Sequence, residues 1–298
     1  EVGFRTDSPT CMRESVRIAL VIISTQGWKL YSVDFKTAFL QGKEIEREIF
    51  MKPPREANTD KIWQLKKTVY GLSDAPRSWY LRLKEAIIKL GCRISKLDNG
   101  FFYFHWEGKL AGVLVTFVDD LLFGGNDRFQ LMMKDMKEVF TVSHEHSSAF
   151  KYIGVDLVQE EDGTVIIDQN NYVNSLATIP IMSERQKMTN SPLTDRERSQ
   201  LRSSIGQVNW LCGISRPDVS FYACEASTSF KNATVQNVIN MNKLIRHIKN
   251  TPTQIRVPRF KDLSSLSVKV FTDASYANLT DGGSQGGQII LFTDGENS

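Results

Sequence analysis

Apolar residues recur every three or four positions over residues 8–26, where Met12, Val16, Ala19, Leu20 and Ile23 line one face and predict an amphipathic helix. Ser8 can cap it, Pro9 suits its first position and Gly27 suits its exit. Residues 28–35 then alternate as a strand does, and short strands are predicted at 48–52 and 62–65, with Pro53-Pro54 ending the former. A second helix starts at Asp74, whose carboxylate can accept from backbone amides, with Pro76 in the first turn where proline is tolerated. Trp79, Leu83, Ala86, Ile87 and Leu90 form its apolar stripe, and Gly91 ends it. Strands follow at 101–106 and 109–117, joined by a Glu107-Gly108 turn, and another begins at Leu121. A helix over 126–140 carries Phe129, Met132, Met133, Met136 and Phe140 on one face. A hairpin runs 152–159 and 164–168.

From Gln169 the character changes. Helical periodicity covers 198–214, 217–230 and 234–250, after a polar, linker-like stretch at 183–197. Strand alternation returns at 266–272 and 284–293. The pattern implies an α+β beginning, a helical middle and a β ending, without internal repeats or low-complexity tracts.

The 298 residues are 41% hydrophobic and 24% charged, with a net charge of +3, ordinary globular usage that excludes a disordered chain. The length suggests about two domains of about 150 residues. No apolar run reaches the roughly 18 residues of a membrane span, and the charged opening at Glu1 is not a secretory signal, so no membrane partner is expected. Cys11, Cys92, Cys212 and Cys224 are widely spaced with no CxxC pair, which excludes a zinc finger and favours a reducing compartment. The four histidines are scattered. Any metal would therefore be held by carboxylates.

Asp119 and Asp120 lie between two very apolar flanks, 112–118 and 121–123. If both flanks are strands, the two aspartates occupy a two-residue hairpin turn. A plain surface turn is one reading. Such turns favour Asn-Gly or Asp-Gly, however, and adjacent carboxylates repel unless a cation lies between them. Asp34 shifts the balance, because it closes another apolar strand at 30–33. Neighbouring strands would bring the three carboxylates to one sheet edge. Oxygen ligands of that kind suit Mg²⁺, and two such ions can activate an attacking hydroxyl and stabilise a leaving oxygen at phosphorus. That chemistry needs no His or Cys nucleophile.

The segments Ser32-Val-Asp34-Phe-Lys-Thr-Ala-Phe-Leu40, Val69-Tyr-Gly-Leu-Ser-Asp-Ala-Pro-Arg-Ser-Trp-Tyr80 and Phe117-Val-Asp-Asp120 resemble, in order and spacing, the polymerase motifs of copia-type (pseudovirus) retrotransposon reverse transcriptases. Tyr152-Ile-Gly-Val155, Asp168-Gln-Asn-Asn-Tyr172 and the region 201–230 with Ser215-Arg-Pro-Asp218 are similar to that family's following hairpin and connecting helices. The resemblance covers nearly the whole chain.

It implies an α+β polymerase fold: fingers and an antiparallel palm sheet with packed helices at 1–182, a helical thumb or connection region at 183–264, and an incomplete RNase H-like α/β segment at 265–298. It implies RNA-directed DNA polymerase activity, by two-metal nucleotidyl transfer to a primer 3′-OH. Asp34, Asp119 and Asp120 would be catalytic and hold two Mg²⁺ ions, with Mn²⁺ as a substitute. Phe35, Phe39, Tyr70 and Gly71 would bind the nucleotide, with Phe39 rejecting a ribose 2′-OH. Tyr152 and Gly154 would contact the primer. Phe117 stands where the family commonly has Tyr.

The implied partners are an RNA template, a DNA primer and their RNA–DNA duplex, deoxynucleoside triphosphates and other parts of a Pol polyprotein. The implied location is the cytoplasm, in a virus-like particle, with delivery to the nucleus. Asp273, in Phe271-Thr-Asp-Ala-Ser275, resembles the first RNase H carboxylate. The acids completing that site would lie beyond Ser298, and triphosphate-gripping residues before Glu1, so the chain is expected to be a fragment or a decayed copy without nuclease activity.

Residues 61–90 hold seven basic side chains and two acids, and 243–261 hold six basic side chains and no acid. Such stretches can follow a phosphate backbone or be solvated helix faces. An alternative to the active polymerase is a catalytically incompetent nucleic-acid-binding remnant.

Overall fold

In the computed structural model the described residues are 5–277 and 282–295. They form two compact units, Glu1–Phe150 with Gln159–Thr164 and Pro258–Ser298, and Lys151–Val158 with Val165–Val257. Antiparallel sheets and eight α-helices make up the described residues, a mixed α and β fold.

The first unit opens with α1 (Arg13–Thr25), which buries Ala19, Leu20 and Ile23. It begins later than the Ser8-Pro9 signal suggests, because its end is held from a distance: the Met12 amide donates to Asp98 Oδ2 at 2.8 Å. Gly27 does form the exit, at φ +65°. Then come β1 (Tyr31–Phe35), the short β2 (Phe50–Met51) and β3 (Trp63–Gln64), and α2 (Ala75–Lys89). Pro76 sits in the first turn of α2, but the Asp74 carboxylate makes no cap and is taken instead by Arg47, at 2.9 Å.

Next are β4 (Arg93–Ile94), β5 (Phe101–Trp106), β6 (Lys109–Phe117), β7 (Asp120–Gly125), α3 (Asp127–Val139), β8 (Val142–Ser147) and β9 (Ala149–Tyr152). Asn126 caps α3 by accepting from the Phe129 amide. Strand β8 was not expected from the sequence. It forms the edge of a six-stranded sheet, β4-β5-β6-β7-β1-β8, whose neighbours run antiparallel.

Alternation of side chains decides what covers each face. Val33, Phe35, Phe102, Leu114, Leu121 and Phe123 meet Trp79, Leu83 and Ile87 of α2 and Phe129, Met133 and Met136 of α3 in one core. On the opposite face Ile23 of α1 sits over Gly124, where a Cβ would lie 2.8 Å from it.

The boundary between the units falls within β9, and the second unit carries most of β10 (Val155–Gln159), β11 (Val165–Asp168) and β12 (Ile255–Val257), in a sheet ordered β12-β11-β10-β9. Its helices are α4 (Asn170–Ser175), α5 (Ser183–Gln186), α6 (Asp195–Cys212), α7 (Ser220–Ser229) and α8 (Val235–Asn250). The stretch read as a linker at 183–197 is therefore partly helical. A capping box between Thr194 and Glu197 starts α6 there. Leu201, Val208, Leu211, Val238, Ile245 and Ile248 form the core. Arg216 is buried with its charge met by Asp218 at 2.8 Å, and it donates to the Ile248 carbonyl at 2.9 Å.

Strands β13 (Ser267–Ala274) and β14 (Gly286–Thr293), in the first unit, pair as a hairpin. The four cysteines are free thiols: Cys11 and Cys92 are buried, Cys212 is half-buried and Cys224 is exposed. No helix among the described residues is long and apolar enough to cross a membrane.

Candidate active site

Three side chains define the site: Asp34 on β1, Asp120 at the start of the adjacent β7, and Asp119 in the turn between β6 and β7. On β1, Tyr31, Val33 and Phe35 point into the core, so Asp34 projects from the other face. Register sets Asp34 opposite Asp120 on β7, and opposite His144 on β8. The Ser143 hydroxyl donates to an Asp34 carboxylate oxygen and approaches its backbone carbonyl at 2.9 Å.

The β6–β7 turn is shifted by one residue from the expectation. Phe117 pairs with Asp120, so the two turn residues are Val118 and Asp119, and Asp120 is the first residue of β7. Val118 has φ +57°, a left-handed conformation that a β-branched residue adopts only when its surroundings enforce it. Two hydrogen bonds enforce it. The Trp79 indole N–H donates to the Val118 carbonyl at 2.7 Å, and the Phe35 amide donates to the Asp119 carbonyl at 3.2 Å.

Burial pushes the Asp120 carboxyl up to about 6, helped by the charges of Asp119 and Asp34. Asp119 is also raised, by burial first and then by Asp34, against a lowering hydrogen bond from its own backbone. Among the described residues no Lys, Arg or His forms an ion pair with Asp34, Asp119 or Asp120. Carboxylate oxygens of this kind are the donor chemistry that a hard divalent cation satisfies. Nevertheless, among the described residues no group of three or more His, Cys, Asp or Glu side chains is gathered closely enough to hold a metal ion. The three carboxylates adjoin without converging. Asp34 is engaged by Ser143, and successive residues of an extended hairpin point to different sides.

The residues expected at a nucleotide fall into two sets. Phe39 lies on a short 3₁₀ turn (Ala38–Gln41) immediately after β1, and its ring is 4.6 Å from that of Tyr70. Thr68 Oγ1 donates to the Phe39 carbonyl at 2.8 Å, and Tyr70 is 60% exposed. Gly71 has φ +102°, with open space where a Cβ would be, so glycine serves the backbone there rather than a close contact. Phe35 differs: its ring is 1% exposed, packed on Trp79 and Phe140, and it reaches the site only through its amide.

Tyr152 and Gly154 belong to the second unit, where Tyr152 is buried and Ile153-Gly154 turn with φ of +48° and +75°. Asp273 is exposed on β13 opposite Gly287.

Much of the positive charge at 61–90 is engaged within the chain. Arg77 pairs with Asp7 at 2.8 Å, Lys89 with Glu85 at 3.7 Å, and Arg82 lies over the Phe140 ring. On α8, Lys243, Arg246, His247 and Lys249 share the exposed face, and Lys249 donates to the Leu176 carbonyl at 2.7 Å.

Sequence reasoning overlooked Ser143 and His144, on a strand whose mixed pattern gave little signal. It took Trp79 for a core anchor alone. A tryptophan on an otherwise aliphatic stripe was the available hint, since a buried indole N–H needs an acceptor.

A family model described as reverse transcriptase (RNA-dependent DNA polymerase) matches residues 4–192. The chain belongs to this family. It is 26% identical over 294 residues to the retrovirus-related Pol polyprotein from transposon RE1 of Arabidopsis thaliana, covering 93% of this chain and 20% of that protein. It is 22% identical over 269 residues to the corresponding polyprotein from transposon TNT 1-94 of Nicotiana tabacum, covering 82% of this chain and 20% of that protein. A putative transposon Ty5-1 protein of Saccharomyces cerevisiae is 22% identical over 280 residues, covering 87% of this chain and 89% of that protein. These relatives are copia-type, and the chain spans about a fifth of the length of the two plant polyproteins.

Proposed function

We propose that the chain performs RNA-directed DNA synthesis: a primer 3′-OH attacks the α-phosphorus of a deoxynucleoside triphosphate, and pyrophosphate leaves. The observation that carries this reading is the register that faces Asp34 with Asp120, beside an Asp119 whose carbonyl is held by the residue after Asp34. Asp34, Asp119 and Asp120 would hold the Mg²⁺ ions, with Mn²⁺ as substitute. When bound, these supply Lewis-acid activation of the hydroxyl and charge neutralisation at the leaving oxygen.

The protein's own residues do the rest. β1 and the Val118-Asp119 turn present the carboxylates, Phe39 backed by Tyr70 walls the sugar, and the Tyr70-Gly71 turn supports the incoming nucleotide. The exposed basic face of α8 suits the backbone of an RNA–DNA duplex, recognised by shape and charge.

In this reading 1–182 are fingers and palm, 183–264 the thumb or connection region, and 265–298 the start of an RNase H-like segment containing Asp273. Tyr152 and Gly154 would meet the primer. The work would take place in the cytoplasm with other parts of a Pol polyprotein.

Primer extension on an RNA template tests the proposal. With Mg²⁺ present the unsubstituted chain extends the primer, and Asp119→Asn lowers the rate by at least about a hundredfold, as expected for loss of a charge-stabilising group. Equal incorporation by the two proteins would refute the assignment. A second reading, a nucleic-acid-binding remnant without catalysis, is favoured by the carboxylates' lack of convergence. Salt-sensitive duplex binding with no product at any Mg²⁺ or Mn²⁺ concentration would establish it.

A further inference from the structure

Trp79 lies on α2 with no exposed surface, and its ring packs edge-on against Phe35 at 5.2 Å and Phe140 at 5.3 Å. Helical periodicity and burial alone would make it a core anchor, replaceable by any large apolar side chain. Its N–H has a more particular use. It donates at 2.7 Å to the carbonyl of Val118, the residue whose φ of +57° lets a two-residue turn close between Phe117 and Asp120. The aromatic neighbour it packs against, Phe35, donates its amide to the other turn carbonyl, that of Asp119. Both turn carbonyls are thus fixed by one aromatic pair, and Phe35 is also the residue next to Asp34.

A valine in the left-handed region relaxes toward extended backbone when nothing restrains it. Relaxation would rotate the Val118-Asp119 peptide and carry the Asp119 side chain with it. A partly buried carbonyl that loses its donor loses stabilisation, so the indole bond biases the turn toward the observed conformation.

We propose that Trp79 is a positioning residue: through its indole N–H it holds the strained Val118-Asp119 turn, and so sets where Asp119 and Asp120 stand relative to Asp34. This rests on the copying activity proposed above for its kinetic consequence, but not for its conformational one.

The test replaces Trp79→Phe, which keeps an aromatic ring and deletes the donor, and compares it with Leu83→Ala. Leu83 lies on the same helix, is 1% exposed and belongs to the same core, but makes no hydrogen bond to the turn. Assays are run below the melting transition of both variants. For Trp79→Phe, kcat of primer extension falls about tenfold while the KM for nucleotide and for template–primer stay within about twofold, the scale set by one buried hydrogen bond. Amide exchange of a peptide covering 117–121 accelerates about tenfold, with β5 unchanged. For Leu83→Ala, the melting temperature drops by at least as much, but kcat stays within about twofold and the 117–121 peptide exchanges as before.

A third variant guards against a misfolded Phe. Val118→Gly adopts the left-handed conformation without strain, and combined with Trp79→Phe it recovers at least about a threefold part of the loss. Unchanged kcat and unchanged exchange in Trp79→Phe would overturn the proposal. So would losses in both single variants that simply track their melting temperatures. If the unsubstituted chain makes no product, the copying activity fails, and exchange at 117–121 still decides whether the indole holds the turn.

Discussion

The ring of Phe39 lies 4.6 Å from the ring of Tyr70, tilted by 50°. Phe39 follows the strand that ends in the Asp34 region, whereas Tyr70 precedes the α2 helix, so the contact braces two separate loops against each other. Under the copying activity proposed above, this brace would fix the Phe39 ring where it walls the sugar. Phe39→Ala is expected to raise ribonucleotide incorporation relative to deoxyribonucleotide by roughly tenfold or more, within the range that pocket truncation gives. Tyr70→Ala removes only the support and shifts the ratio less. Competitive single-nucleotide extension measures both, and an unchanged ratio in Phe39→Ala would remove it from sugar selection.

Asp120 predicts a trade between stability and pH. Its folded carboxyl is raised from an ordinary 3.8 to about 6, by burial and by its carboxylate neighbours. A raised carboxyl disfavours the folded state wherever the group is ionised, that is above about 6. The penalty fades as pH falls from there through 3.8, because the folded state takes up the proton first. Asp120→Asn is therefore expected to stabilise the divalent-free protein at pH 8 by about 1 kcal/mol, a value reduced for solvent screening of a half-exposed group. The gain should vanish near pH 4. Urea unfolding across that range measures it, and a gain that grows on acidification would contradict burial and carboxylate repulsion as its cause.

Gly112 and Gly125 face the ring of Phe129 so closely that a Cβ would lie 2.2 Å and 2.4 Å from it. Gly112→Ala should destabilise the first unit by about 1–3 kcal/mol through overpacking. Adding Phe129→Leu should return part of that loss by freeing space. Additive losses in the double variant would show that the ring is not the obstacle.

In the second unit, Glu197 closes the capping box of α6 and accepts from Arg185 at 2.9 Å. That hydrogen bond, above all, holds its carboxyl at about 2, below an ordinary 4.5. A lowered carboxyl contributes stability that is complete above about 4.5 and lost as pH falls toward 2. Glu197→Gln should cost about 1 kcal/mol at pH 7, the usual scale for a cap, and the difference should shrink below pH 4. Helical circular dichroism against urea at the two pH values checks it.

How much of this was legible in the sequence depends on how local each determinant is. The stripes of α2 and α3 and the span of α8 agree with the sequence pattern, because one helix face against one core leaves a plain period. The start of α1 was misread because Asp98, distant in the chain, holds it. Asp74 was misread as a cap because Arg47 claims its carboxylate. The β8 strand was missed because an edge strand with Ser143, His144, Glu145 and His146 lacks apolar alternation.

At the site, the nearness of Asp34 to Asp120 followed from two apolar strands ending in acids. The one-residue shift of the turn did not, because it depends on a tryptophan from another element holding Val118 in an unfavourable conformation.

The distribution of thiols has a practical consequence. Burial raises the Cys11 thiol and pushes that of Cys92 up to about 12, which quenches both as nucleophiles, and it also raises the half-buried Cys212. Maleimide chemistry under brief, mild conditions therefore converges on Cys224, on the exposed side of α7. A single fluorophore can be attached there without engineering the chain, at a point remote in sequence from every carboxylate of the candidate site.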